Sequence, residues 1–246
     1  MEYLAASHTE VWISSPVVPL IQFAHAVRPL SSTGLDLVGV GELPIADELA
    51  RRLRGFDSIV SWYGSARPEF RDAIESLGVP CEFHAALPPS EYRGHATDFF
   101  AGQVGAPMGS VPRIDVRRTE PRDQIVIHPF SGGRRKNWPL ENYRQLAANF
   151  STAWTAGPEE ALLEATRFDN LMDLAVWMKG AKLYIGNDSG ITHLAAAIGM
   201  PVIALFGPTM PEVWAPRGGN VTVLSRNPIE DLSVEEVLSA ATTKLH

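Results

Sequence analysis

The stretch Lys182-Leu-Tyr-Ile-Gly-Asn-Asp-Ser-Gly-Ile-Thr-His-Leu-Ala-Ala-Ala-Ile-Gly-Met-Pro-Val-Ile-Ala-Leu-Phe206 decides the fold class. Lys182 to Ile185 reads as a strand, Gly190 to Ile198 as a helix closed by Gly199 and Pro201, and Val202 to Phe206 as a buried strand. A strand, a short polar loop, a helix and a second apolar strand form one βαβ unit, and such units build parallel sheets wound with helices. The same alternation continues upstream. Gln124 to Pro129 predicts a strand, Leu140 to Phe150 a helix begun by Pro139, and Ser151 to Ala156 another strand. Asn170 is placed to cap a helix whose Leu171, Leu174, Ala175 and Met178 recur at i, i+3, i+4 and i+7, and Gly180 ends it. Leu232 to Leu245 supplies a last helix. The expected product is one open α/β sheet.

The first half repeats the pattern more loosely. Glu10 to Ser15 reads as a strand followed by a short helical run near Leu20 to Val27, Leu43 to Leu53 is amphipathic, and Asp57 to Tyr63 is a strand ending at Gly64. Pro68 opens a helix that runs to Leu77 and stops at Gly78. Gly105 to Asp123 holds three prolines and mixed charges without an apolar period, the composition of a linker. The expected boundary lies near residue 118, giving domains 1–118 and 119–246.

Composition narrows the function classes. Of 246 residues, 45% are apolar and 20% charged, which disfavours a disordered chain, a collagen-like repeat or a coiled coil. The formal net charge of −7 argues against a nucleic-acid-binding surface. With Cys81 as the only cysteine, neither an intrachain disulfide nor a thiolate metal cluster can form. The seven histidines show no HxxxH or HExxH spacing, so no metal site is expected. Met1-Glu2-Tyr3 lacks the basic flank and apolar run of a leader, and no membrane-length apolar stretch follows, so the expected compartment is the cytoplasm.

In open α/β sheets, ligands settle beyond the carboxyl ends of the strands. The loop His128-Pro-Phe-Ser-Gly-Gly-Arg-Arg-Lys-Asn-Trp-Pro139 offers glycines for close backbone approach and three cations, which suits a phosphate cradle or a solvated basic turn. Gly186-Asn-Asp-Ser-Gly-Ile-Thr-His193 leads a strand into a helix whose first amides would face an anion, with Asp188 or Ser189 alternatively serving as helix caps. Gly157-Pro-Glu-Glu160 places two carboxylates where ribose hydroxyls could be met, or where acids simply suit a helix N-terminus. Gly207-Pro-Thr-Met-Pro-Glu-Val-Trp-Ala-Pro-Arg217 is stiff enough to wall a base or a ribose, or to act only as a connection. There is no GxSxG, P-loop or GxGxxG motif.

Together, His128 to Pro139, Tyr184 to Gly199 and Ala204-Leu-Phe-Gly-Pro-Thr209 resemble, in order and spacing, the ADP-heptose:lipopolysaccharide heptosyltransferases of glycosyltransferase family 9. The resemblance covers about residues 124–240. It implies a GT-B fold of two Rossmann-like domains facing across a cleft, the N-terminal one truncated here by its first strand-loop-helix unit. It further implies inverting, metal-independent transfer of a heptose from ADP-heptose to a lipopolysaccharide core or related saccharide, with no cofactor. By this likeness Ser131, Gly132, Gly133 and Lys136 meet the donor phosphates, and Glu159 or Glu160 the adenosine ribose. Asp188, Ser189, Gly190 and His193 line the pyrophosphate and sugar, Thr209 joins the nucleotide-sugar site, and Lys136 stabilises charge on the departing ADP. Partners implied are an ADP-sugar donor, a saccharide or glycolipid acceptor met peripherally at the inner membrane, and a second copy covering the sheet edge.

Two departures stand out. Phe130 occupies a position where the family motif commonly has glycine. The family's presumed base is an aspartate in a Gly-Asp loop, and that dipeptide occurs nowhere in the 246 residues. The base is therefore unassigned, with His95, Asp98 and Asp36 as substitutes, and the alternative is a non-catalytic nucleotide-sugar-binding homologue.

Overall fold

The computed structural model describes residues 6–41, 43–117, 119–161 and 164–246. These fall into two compact units, Met1–Tyr92 with Phe99–Met108, and Arg93–Asp98 with Gly109–His246. Residue 118, the expected boundary, lies outside the described residues and within the span of the second unit.

The first unit holds two separate parallel pairs. Strand β1 (Glu10–Ile13) pairs with β2 (Ala26–Pro29), with Val11 opposite Val27. The helical run expected near Leu20 to Val27 is not there. Pro16 and Pro19 hold Ser15–Leu20 in a 3-10 turn, and Val27 goes into the strand instead, where a β-branched side chain packs well. Helix α1 (Asp47–Leu53) is shorter than the amphipathic run from Leu43, because Pro44 biases the residue before it away from helix. Strand β3 (Ile59–Ser61), helix α2 (Pro68–Ser76) and strand β4 (Cys81–Phe83) follow, β3 and β4 pairing in parallel. Helix α3 (Ala96–Gln103) contributes residues to both units.

Phe70 and Ile74 of α2, Leu49 and Leu53 of α1, and Leu35 and Val38 form the first unit's core. Two glycines let α2 seat there. Gly39 has φ +69°, and a Cβ on it would lie 2.7 Å from the Phe70 amide nitrogen; Gly64, at φ +70°, would put one 2.2 Å from the Phe70 ring. Any side chain at either position would displace Phe70.

The second unit is the expected open sheet. Strands β5 (Ile125–His128), β6 (Thr152–Trp154), β7 (Leu183–Asn187), β8 (Val202–Phe206) and β9 (Val221–Ser225) are all parallel in the order β6-β5-β7-β8-β9. The three central strands are buried throughout, which is why they read as unbroken apolar runs. The edge strand β9 is only half-buried and has no counterpart in the sequence reading. Helices α4 (Leu140–Ala147), α5 (Leu171–Lys179), α6 (Gly190–Ala197), α7 (Pro211–Trp214) and α8 (Val234–Leu245) complete it. Asn170 caps α5 as expected, its side chain accepting the Asp173 amide at 2.9 Å. Helix α8 begins at a capping box in which Ser233 accepts the Glu236 amide and Glu236 accepts that of Ser233. At the far end of α6, Lys179 Nζ donates to the Ile198 carbonyl at 2.6 Å and the Ile114 amide to that of Ala197 at 3.0 Å. No helix among the described residues is long and apolar enough to cross a membrane.

Candidate functional site

The strand order places the site. From β5 the chain steps to β6 on one side and from β7 to β8 on the other, so the connections that leave the carboxyl ends of the adjacent strands β5 and β7 run in opposite directions along the sheet. In sheets of this order the gap at the reversal is where phosphate-bearing ligands enter. The loop after β5 carries Ser131 to Lys136, and the loop after β7 carries Asp188, Ser189 and the start of α6.

Lys136 and Asp188 are joined directly, Nζ to Oδ2, at 2.7 Å. Asp188 is buried, and the same Oδ2 accepts the Thr209 hydroxyl at 2.7 Å, so a residue after β8 joins the pair. That oxygen is shared by Lys136 and Thr209, and neither Asp188 nor Ser189 caps α6: Ser189 is the N-cap residue but makes no side-chain cap bond. Ser189 Oγ instead lies 3.2 Å from Thr192 Oγ1. The Gly190 and Ile191 amides lie at the helix start, where no intrahelical acceptor exists. A Cβ on Gly190 or on Gly132 would meet nothing within 4 Å, and neither has a positive φ. Neither backbone shape nor packing in this structure asks for glycine there.

The Ser131 hydroxyl lies 2.6 Å from Asn137 Oδ1 and 3.1 Å from the Gly133 carbonyl, which folds the loop on itself. Lys136 ends a 3-10 turn, its amide bonded to the Gly133 carbonyl at 2.9 Å. Phe130 packs edge-on to His128, ring centroids 6.4 Å apart. His128 is buried and its Nδ1 meets the Thr155 carbonyl at 3.0 Å, which makes Nδ1 the donor; burial lowers its pKa, against the opposing pull of that carbonyl and Glu160.

His193 stands in the first turn of α6. Its outer face is exposed, yet atoms crowding the ring withdraw enough water to lower its pKa, Lys136 and His95 acting the same way and Asp188 and the Trp214 carbonyl opposing. The two glutamates form no hydrogen bond with Lys136, Asp188 or His193 among the described residues. Glu159 is exposed, and Glu160 turns back so that Oε2 accepts the Gly157 amide at 2.6 Å.

The substitute bases differ in what already holds them. Asp98 is forked by Arg217 and accepts the Gly109 amide at 2.7 Å, and the guanidinium holds its carboxyl at about 2. His95 accepts the Thr97 amide on Nδ1 at 3.1 Å and lies 2.8 Å from the Ala215 carbonyl through Nε2, so Nε2 carries the proton. Asp36, in the first unit, has a buried Oδ1 without a hydrogen-bond partner among the described residues. No three His, Cys, Asp or Glu side chains gather as metal ligands among the described residues.

Asn187 is the residue that motif reading passed over. It is completely buried and touches both ends of the β5 loop. One signal existed: side chains alternate along a strand, so Asn187 shares a face with Leu183 and Ile185 and a buried amide there must find partners.

A parallel sheet in this order, with a glycine-rich basic loop and a helix start at its reversal, defines a Rossmann-like α/β unit. The model of glycosyltransferase family 9 (heptosyltransferase) matches residues 95–240, and the chain belongs to that family. Lipopolysaccharide heptosyltransferase 1 of Salmonella typhimurium is 33% identical over 102 residues, covering 35% of this chain and 32% of that protein. Lipooligosaccharide heptosyltransferase 2 of Haemophilus influenzae is 31% identical over 114 residues, 37% and 33% of the two chains. The matched segments span about a third of these relatives' length. Among solved structures, E. coli ADP-heptose lps heptosyltransferase II superposes with a TM-score of 0.71 at 16% identity, covering 96% of this chain and 88% of that one. A family 9 glycosyl transferase from Veillonella parvula gives 0.69 at 19% identity, covering 97% and 88%. The E. coli heptosyltransferase WaaC with ADP gives 0.66 at 17%, covering 95% and 89%. These likenesses establish the α/β, GT-B type fold.

Proposed function

We propose that the chain transfers a heptose from ADP-heptose to a lipopolysaccharide core or related saccharide, with inversion and without a metal. The observation that carries this reading is the meeting of Lys136, Asp188 and Thr209 beside the first turn of α6, at the reversal of the sheet. A diphosphate seated there would be held by the Gly190 and Ile191 amides and the ammonium of Lys136, all fixed before it arrives. As the sugar leaves, negative charge grows on the β-phosphate, and the same groups stabilise it. Asp188 aims the ammonium rather than reacting itself. Ser131, Gly132 and Gly133 border the phosphates, Ser189 and His193 the sugar, and Glu159 or Glu160 the ribose. The acceptor is assigned to the first unit, where a cavity of about 410 Å³ includes Ser65, Arg71, Phe83, His84 and Leu87 in its lining. A protein acting on such a glycolipid works at the cytoplasmic face of the inner membrane, as a peripheral protein and with a second copy over its sheet edge.

A second reading, a nucleotide-sugar-binding homologue without transferase activity, is favoured by one feature. Asp98 is already ion-paired to Arg217, and a carboxyl held at about 2 is a weak base for a sugar hydroxyl. Calorimetric titration with ADP, UDP and GDP, followed by a turnover assay with ADP-heptose, separates the outcomes. Selective ADP binding with turnover supports transfer; selective binding without turnover supports the second reading; equal or absent binding overturns both.

A further inference from the structure

We propose that Asn187 is the positioning residue of the phosphate loop, a buried clasp that sets the loop's height over the first turn of α6. The proposal rests on the donor-site reading above. Asn187 ends β7 with its side chain completely buried. Its Oδ1 accepts the Trp138 amide at 3.0 Å and the Tyr143 hydroxyl at 3.0 Å, while its Nδ2 donates to the Pro129 carbonyl at 2.8 Å. Pro129 and Trp138 flank the segment that carries Ser131, Gly132, Gly133 and Lys136, so one carboxamide closes the loop at both of its ends.

The far end is itself anchored, for the Trp138 indole N–H donates to the Leu232 carbonyl at 2.8 Å. On the other side, the Asn187 carbonyl accepts the Thr192 hydroxyl, and Thr192 Oγ1 also lies 3.2 Å from both Tyr184 Oη and Ser189 Oγ. The clasp therefore joins the loop to α6 through a single residue. Next in the chain, Asp188 holds Lys136.

The chemistry requires an amide. A carboxylate of the same shape could accept from Trp138 and Tyr143 but would face the Pro129 carbonyl with no proton to give, and an apolar isostere would leave three buried groups unpaired. Asn187 touches no ligand in this scheme and acts only through the loop.

The test compares wild type with Asn187→Asp and Tyr143→Phe, the second keeping the ring and removing one bond to Oδ1. Two readouts are taken: hydrogen exchange of the amides from 131 to 138 in the nucleotide-free protein, and affinities for ADP and for adenosine. Asn187→Asp is expected to speed loop exchange and weaken ADP about tenfold while leaving adenosine within about twofold, the scale of one lost buried hydrogen bond. Tyr143→Phe shifts both in the same direction by less. Unchanged loop exchange in either folded variant overturns the proposal, as does an equal loss of ADP and adenosine. Should wild type fail to bind ADP, the donor-site reading falls, while the exchange measurement still decides whether the clasp exists.

Discussion

Gly64 in the first unit lies between a parallel strand and the helix that follows it, and Gly190 in the second is the first residue of such a helix, yet an added methyl would meet opposite surroundings. At Gly64 it would strike the Phe70 ring 2.2 Å away, on a backbone at φ +70°. At Gly190 it would enter open space, in a backbone any residue can adopt. Gly39 behaves like the first and Gly132 like the second. The contrast separates two glycines that look the same in a sequence: one makes room for the protein's own core, while nothing in the protein itself asks for the other.

The sharpest way to break this comparison is substitution at both kinds of site. Gly64→Ala combines overpacking with a strained φ, and should cost about 3 kcal/mol in urea denaturation of the first unit. A loss under about 1 kcal/mol would show that Phe70 can move aside. Lys136→Ala removes the charge-assisted contact proposed for the diphosphate and should weaken ADP by about 1–2 kcal/mol in calorimetry; equal affinity would place the phosphates elsewhere. Gly190→Ala should leave stability unchanged or raise it by up to about 1 kcal/mol, since alanine is the better helix residue, while ADP affinity falls. Stability and affinity falling together would put Gly190 in the structural class.

The smallest effect is confined to acid. Arg217 depresses the Asp98 pKa to about 2, below the ordinary value near 3.9, so the folded state binds fewer protons than the unfolded one between them. The stabilisation is complete above about pH 4 and is lost as pH falls toward about 2. Asp98→Asn should flatten the melting temperature over that interval and leave its slope at neutral pH unchanged.

Much of the second unit was legible in the sequence because its central strands are buried on both faces and its turns are punctuated by glycine and proline. Val202 to Phe206 could be little else. The half-buried edge β9 lacks that signature. In the first unit Leu20 to Val27 reads as a short helical run, and only the pairing of Ala26–Pro29 with β1 puts its last residues in a strand, a long-range fact that local periodicity does not contain. At the site, Lys136, Asp188 and Thr209 were all named from motifs, and the structure adds their direct contact. Asn187 was hidden in plain view, because its partners at Pro129, Trp138 and Tyr143 are distant in sequence.

The Lys179 ammonium on the Ile198 carbonyl has a consequence for ionic strength. Helix α6 has eight residues and so spans about 12 Å, most of it packed in protein that salt ions do not enter, so added salt screens the exposed charges around the helix more than the helix itself. Lys179 serves as a terminator for the carbonyl end. On that basis ADP affinity should fall only gently as salt is added, the slope reporting Lys136 and its basic neighbours rather than the helix.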